Sequence, residues 1–386
     1  MVYIFDIILF IVCAFNIAYL LFFAISAFFY KKSTYAVDAS NKLKVAVLIP
    51  AYKEDVVIEE CVKSCLAQEY DKTLYDIVVI SDQMEVQTNQ KLEALGVKVV
   101  VANYINSTKT KALNLAFSVL PDNYYDIALI LDADNVIPVL YLEQLCKRFN
   151  RGKYCAIQTH RVAKNTENNL AYLDAMSEEI NNTIFRKGHI ALGISSALIG
   201  SGMAFDYDLI KNNLNQMKAI GGFDRELEFR LFKQGLKIAY MDELLVYDEK
   251  ITSYDGFSNQ RKRWVSAQVH YLRYFILDLA RELLKGNVDF CDKLFQHFFL
   301  PRVLLVGFTT IFTMIITFVD INLAVKWWFL FGTMTICICV SIPRNLYTRK
   351  LLKALFSIPK TFGIMLLNIF KLKGANKYFI HTSHGK

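Results

Sequence analysis

Four groups of side chains in this 386-residue sequence have types and spacings that can do chemistry. Asp132-Ala133-Asp134 sets two carboxylates two residues apart, just past the apolar run Ile127 to Leu131. Where a strand frays into a loop, such a pair can approach one divalent cation together. Mg2+ or Mn2+ held by one or two carboxylates keeps coordination positions open for diphosphate oxygens. The cation then offsets the charge that builds on a departing nucleoside diphosphate. Alone, the spacing equally describes a solvated turn. Asp224 follows Gly221-Gly222-Phe223 and opens a helical stretch, Arg225 to Gln234, that ends at Gly235. There it either caps the helix or waits, ionised, to take a hydroxyl proton. Gln260-Arg261-Lys262-Arg263-Trp264 offers Arg263 to a phosphate and the Trp264 ring to a sugar face. The plainer reading is a membrane-surface helix with a tryptophan anchor. The fourth group is Pro50-Ala51-Tyr52-Lys53-Glu54 together with Ser81-Asp82-Gln83, each closing an apolar run.

These residues need elements to hold them. Val45 to Pro50, Asp76 to Ser81, Val97 to Ala102 and Ile127 to Leu131 read as buried strands, spaced by helices at Val56 to Gln68, around Lys91 to Leu95 and at Lys111 to Leu120. Near-continuous apolar strands alternating with helices predict an α/β fold with a parallel sheet covered on both faces. Ligands of such sheets bind beyond the carboxyl ends of the strands, where the acidic groups lie. A G-x-G-x-x-G after the first strand and a Gly-rich Lys-Ser/Thr loop are both missing, which argues against dinucleotide redox chemistry and ATP hydrolysis.

The chain is 54% hydrophobic and 21% charged, too apolar to be wholly soluble. Residues from Ile7 to Tyr30 carry no charge, enough to cross a ~30 Å hydrocarbon core. A cleaved leader would need a positive start and a short apolar core. Here Asp6 precedes the run and Lys31-Lys32 follow it, so the sequence predicts a retained helix. Val303 to Val319 and Trp327 to Pro343 predict a helical hairpin around Asp320 to Lys326. Lys31, Lys32, Arg273, Arg281, Lys285, Lys293, Arg344, Arg349, Lys350 and Lys353 then share one side and only Lys326 the other. The expected topology has the N-terminus outside and the central block in the cytoplasm. The net charge of +8 fits an anionic membrane face rather than nucleic acid. Eight cysteines without a C-x-x-C pair read as small buried hydrophobes in a reducing compartment. The expected units are a leading membrane helix (1–30), the α/β domain (31–250), the basic-aromatic segment with interfacial helices (251–296), the hairpin (297–343) and an interfacial or re-entrant end (344–386).

In this order the motifs resemble the membrane-integrated family-2 glycosyltransferases of GT-A fold, which include cellulose, chitin, hyaluronan and poly-N-acetylglucosamine synthases and ceramide glucosyltransferase. The resemblance implies a mostly parallel, Rossmann-like sheet. It places Ala51, Tyr52 and Glu54 near base and ribose, Asp82 on the nucleobase, and Asp132 and Asp134 on the metal, Mg2+ or Mn2+. Lys109-Thr110-Lys111-Ala112-Leu113-Asn114 resembles the family's G-K-x-x-A-L-N segment with Thr108 in the glycine's place, and Gly200-Ser201-Gly202-Met203 the acceptor-side loop. Asp224 takes the place of the catalytic aspartate, Phe223 replacing its usual acidic neighbour, with Glu226 and Glu228 as substitutes. Gln260, Arg263 and Trp264 match Q-x-x-R-W in full.

The activity so implied is inverting transfer from a nucleotide sugar, a UDP sugar first, to a growing glycan at the inner membrane face of a bacterium. Lys109 and Arg263 would offset charge on the leaving group. Transfer of one sugar to a lipid such as a polyprenyl phosphate or ceramide is the alternative, and Phe223 alone supports an inactive membrane scaffold. Three crossings are few for a pore in one chain, so a polymer-exporting enzyme would need further subunits or a homo-oligomer.

Overall fold

The computed structural model describes residues 2–32, 42–149, 154–217 and 219–372, so the last part of the expected 344–386 segment lies outside the described residues. Its centre is a seven-stranded sheet. The strands are β1 (Val45–Tyr52), β2 (Tyr75–Asp82), β3 (Lys98–Ala102), β4 (Ile127–Ile130), β5 (Ala156–Ala163), β6 (Met203–Asp206) and β7 (Ile238–Asp248). They run in the order β3-β2-β1-β4-β6-β5-β7. The four strands expected from their apolar runs are all present and mutually parallel. β5 and β7 extend the sheet, and β6 enters antiparallel between β4 and β5. A strand buried on both faces is apolar whichever way it runs, so the sequence pattern carries no sign of that reversal. β1 pairs with β2 on one side and β4 on the other, and the chain leaves β1 toward both flanks. This switch in strand order opens a crevice above the carboxyl ends of β1 and β4.

The backbone bends sharply at that crevice. Lys53 and Gln83, just past β1 and β2, both sit at φ 56°, a left-handed conformation that costs of order 1 kcal/mol or more for a side-chain-bearing residue. The Lys53 amide donates to the Asp82 carbonyl at 3.1 Å, which welds the two strand ends together.

Three described helices are long and apolar enough to cross a membrane: Tyr3–Phe29, Arg302–Val319 and Ile321–Ser341. The expected seven-residue hairpin loop shrinks to Asp320, whose carboxylate accepts from the Asn322 and Leu323 amides. Lys326 therefore lies inside the second hairpin helix. It pairs with Asp6, which also accepts from the Trp327 indole at 2.8 Å. The opposite ends meet the sheet domain, where the Thr183 hydroxyl donates to the Ser341 carbonyl at 2.8 Å. Arg349–Leu355 and Ile358–Phe370 form a pair bent by 42°. Pro359 stands in the first turn of the second helix, where a missing N–H costs nothing. That last helix packs on the hairpin and on the helix Tyr254–Phe275, and Asn368 and Ser258 are joined by two hydrogen bonds.

Candidate active site

One cavity of about 510 Å³ opens above the crevice and is lined by every site residue expected from the sequence: Ala51, Tyr52, Glu54, Asp82, Lys109, Asp132, Asp134, Asp224, Gln260, Arg263 and Trp264. It runs on to Asn16 and Leu20 of the leading helix, Val303 of the hairpin and Met365 of the last helix.

Asp132 and Asp134 flank Ala133 beyond β4, and Asp248 at the end of β7 joins them. One carboxylate oxygen from each lies within 4.8 Å of the others. Asn135 fixes this geometry: its Nδ2 donates to both Asp134 and Asp248 at 3.2 Å, and its Oδ1 accepts from the Asp132 amide at 3.0 Å. The Glu249 amide adds a bond to Asp134 at 2.9 Å. Burial opposes the charge on Asp248, but Arg161 and Lys250 outweigh it and hold the carboxyl below its usual range. An all-carboxylate set of this kind fits a hard divalent cation such as Mg2+ or Mn2+. Asp248 was not expected, yet it obeys the rule that found the others, a carboxylate just at a strand's end.

Lys109 turns toward this cluster, pairing with Asp132 and donating to the Gly200 carbonyl at 2.7 Å. Thr108, expected to stand in a glycine's place, caps the helix Lys109–Val119, its hydroxyl accepting from the Lys111 amide at 3.2 Å. Burial pushes the Asp82 carboxyl up from its ordinary range.

Asp224 is the second residue of the helix Phe223–Lys233, whose cap is Gly222 at φ 66°, so it does not cap that helix. A methyl placed on Gly200 would stand 3.9 Å from Asp224 Oδ2, which puts the carboxylate against the Gly200 turn. The two substitutes are occupied elsewhere. Glu226 bonds Arg230 at 2.9 Å, and the fully buried Glu228 pairs with Lys293 at 2.6 Å and accepts the Leu198 amide. Phe223 lies beneath the Lys109 ammonium, 5.2 Å from its ring centre. Arg263 feels both Asp132 and Asp224, although burial disfavours its charge and lowers its pKa. Trp264 has one face covered by the Arg261 guanidinium at 4.2 Å, which limits how a sugar can stack there. Gln260 Oε1 is buried with no hydrogen-bond partner among the described residues.

A profile of the family described as "Glycosyltransferase like family 2" matches residues 42–267, more than half of the chain. The chain belongs to this family. It shares its fold with a mannosyltransferase from Pyrobaculum calidifontis, solved with GDP-Man and Mn2+: TM-score 0.54 and 15% identity over 89% of this chain and 99% of that one. It is 24% identical over 274 residues to a probable glycosyltransferase, YdaM, of Bacillus subtilis, covering 66% of this chain and 62% of the relative. It is 26% identical over 133 residues to a probable glucomannan 4-beta-mannosyltransferase of Arabidopsis thaliana, covering 32% and 24%. The chain thus spans less than two thirds of the length of either curated relative.

Proposed function

We propose that the protein moves a sugar, with inversion, from a nucleotide-sugar donor (a UDP sugar first) to a hydroxyl of a growing glycan at the cytoplasmic face of a bacterial inner membrane. The observation that carries this reading is the single cavity shared by Asp82, Asp134 and Asp224 and continued by residues of the membrane helices. Ala51, Tyr52, Glu54 and Asp82 bind the nucleoside, and Asp132, Asp134 and Asp248 would hold Mg2+ or Mn2+. When bound, that ion supplies neutralisation of the donor's diphosphate. Arg263 and Lys109 add positive charge on the leaving side, and Trp264 and Gln260 border the acceptor. Asp224 takes the hydroxyl proton as the oxygen attacks from the face opposite the leaving group. The lysines and arginines gathered at the sheet-domain ends of the helices support the cytoplasmic orientation, with the Asp6–Lys326 end outside.

The test is a screen of nucleotide sugars with Mg2+ and with Mn2+, using purified protein and a labelled donor, followed by product mass and length on a gel. Metal-dependent incorporation with a ladder of products is expected. Absence of transfer and of donor hydrolysis with every donor would defeat the reading.

A further inference from the structure

We propose that Gln158 is a positioning residue for sugar transfer: its side-chain amide holds the turn 199–202 at the spacing from Asp224 that admits the acceptor hydroxyl. This rests on the transfer reading above and adds the part that sets the wall opposite the base.

The turn lies where the sheet stops supplying backbone partners. β5 and β6 pair through Ala156 with Phe205, Ile157 with Ala204 and Gln158 with Met203. Just ahead of Met203 the chain turns through Gly200 at φ 88° and Gly202 at φ 59°, left-handed conformations open to glycine without steric cost. Among the described residues, no backbone group of Ile199, Gly200 or Ser201 bonds to another backbone group. Side chains have to complete such a turn.

Gln158 does most of this. Its Oε1 accepts from the Ile199 amide at 3.0 Å, and its Nε2 donates to the Ser201 and Gly202 carbonyls at 3.0 and 3.2 Å. Nε2 also donates to the Thr159 carbonyl at 2.9 Å, which ties it to its own strand. A primary amide offers the donor and acceptor of a peptide group, so this side chain carries the ladder on across the turn. The Thr159 hydroxyl donates to the Gly202 carbonyl at 2.8 Å, and Glu228 accepts from the Leu198 amide at 2.8 Å. Among the described residues, Gln158 alone bonds the backbone on both sides of Gly200.

Gly200 is where the turn meets the chemistry. It lines the cavity, its carbonyl receives Lys109, and a methyl on it would stand 3.8 Å from the Phe223 ring and 3.9 Å from Asp224 Oδ2. Gln158 is fully buried and outside the cavity wall, so it acts through the turn alone. A turn that relaxes by about 1 Å widens the gap before Asp224, and misplacement on that scale costs about 10²-fold in rate. The acceptor hydroxyl loses its line of attack, while a water molecule keeps access. The residues proposed for the nucleoside stand at β1 and β2, with β4 and β6 between them and β5, so donor binding is left alone.

The experiment uses the full chain in detergent, with membranes of the expressing cells as the acceptor source. The labelled donors are those of the screen above, UDP-glucose, UDP-N-acetylglucosamine and GDP-mannose among them, each with Mn2+. Transfer, hydrolysis to free sugar, UDP binding and melting temperature are read for wild type, Q158M and Q158E. Q158M keeps the length and makes none of the bonds; Q158E keeps the acceptor for the Ile199 amide. In Q158M the kcat of transfer should fall about 10²-fold and the ratio of hydrolysed to transferred sugar rise about tenfold. Donor KM and UDP binding should stay within about twofold, with Q158E falling between Q158M and wild type. A side chain that merely fills space would change the melting temperature and leave that ratio where it was. Wild-type turnover in Q158M, or transfer, hydrolysis and UDP binding falling together, would overturn the proposal. If Q158M does not fold, Q158E decides by the same ratio; if neither folds, Gln158 supports the whole sheet and the proposal falls. A wild type that neither transfers nor hydrolyses any donor defeats the transfer reading and the proposal with it. A transferring wild type beside an unchanged Q158M defeats the proposal alone.

Discussion

Lys109 and Asp132 form an ion pair in which the ammonium also donates to the Gly200 carbonyl at 2.7 Å. A single side chain thereby ties the acidic cluster to the turn that faces Asp224. Replacing it with an uncharged residue of similar length, Lys109→Met, frees both. A fall in kcat of about 10²-fold is expected, the scale for loss of one charge-stabilising donor, with the melting temperature little changed. Steady-state kinetics beside a thermal melt check this.

Asn135 is the hinge of the metal-binding proposal because its amide holds Asp134 and Asp248 together. Asn135→Leu should weaken Mn2+-dependent UDP binding about 10–100-fold, the usual cost of losing a group that orients ligands. Asp134→Ala should abolish the metal-dependent part. Calorimetry with and without Mn2+ separates the two.

Asp224→Asn keeps shape and loses the base. Donor affinity should hold while turnover drops about 10²–10⁴-fold. Near-normal turnover would return the role to another group.

His160 supplies a pH dependence of stability. Burial opposes its charge, but Asp242 and Glu179 on either side of the ring outweigh it and hold the imidazolium up to about 9. Its folded pKa lies above the ordinary 6.5, so the contribution is complete below pH 6.5 and fades as pH rises through about 9. The full effect is about 3 kcal/mol. A fall in melting temperature between pH 6.5 and 9 is expected, and His160→Gln should flatten that slope.

Much of this architecture is written in local patterns. β1, β2 and β4 are runs of buried aliphatic residues, and the rule that polar groups just beyond such runs face the ligand picks out Tyr52, Asp82, Asp132 and Asp134. β5 escaped notice because Gln158, Thr159, His160 and Arg161 are polar yet buried. Their hydrogen bonds and ion pairs come from residues as far away as Ser201 and Asp248, which no local pattern announces. Asn169–Asn181 hides for the same reason, since its buried Glu178 is paired with Arg161 and Arg186.

The leading helix is built into the body of the protein. Any carbon added to Gly188 would sit 2.1 Å from the Phe23 carbonyl oxygen, Tyr19 bonds Asp292 at 2.6 Å, and Asn16 accepts the Leu300 amide. Asn16 and Leu20 themselves line the cavity above the sheet. A fragment begun after residue 30 would therefore lack one side of its own pocket, so studies of this site have to keep the leading helix.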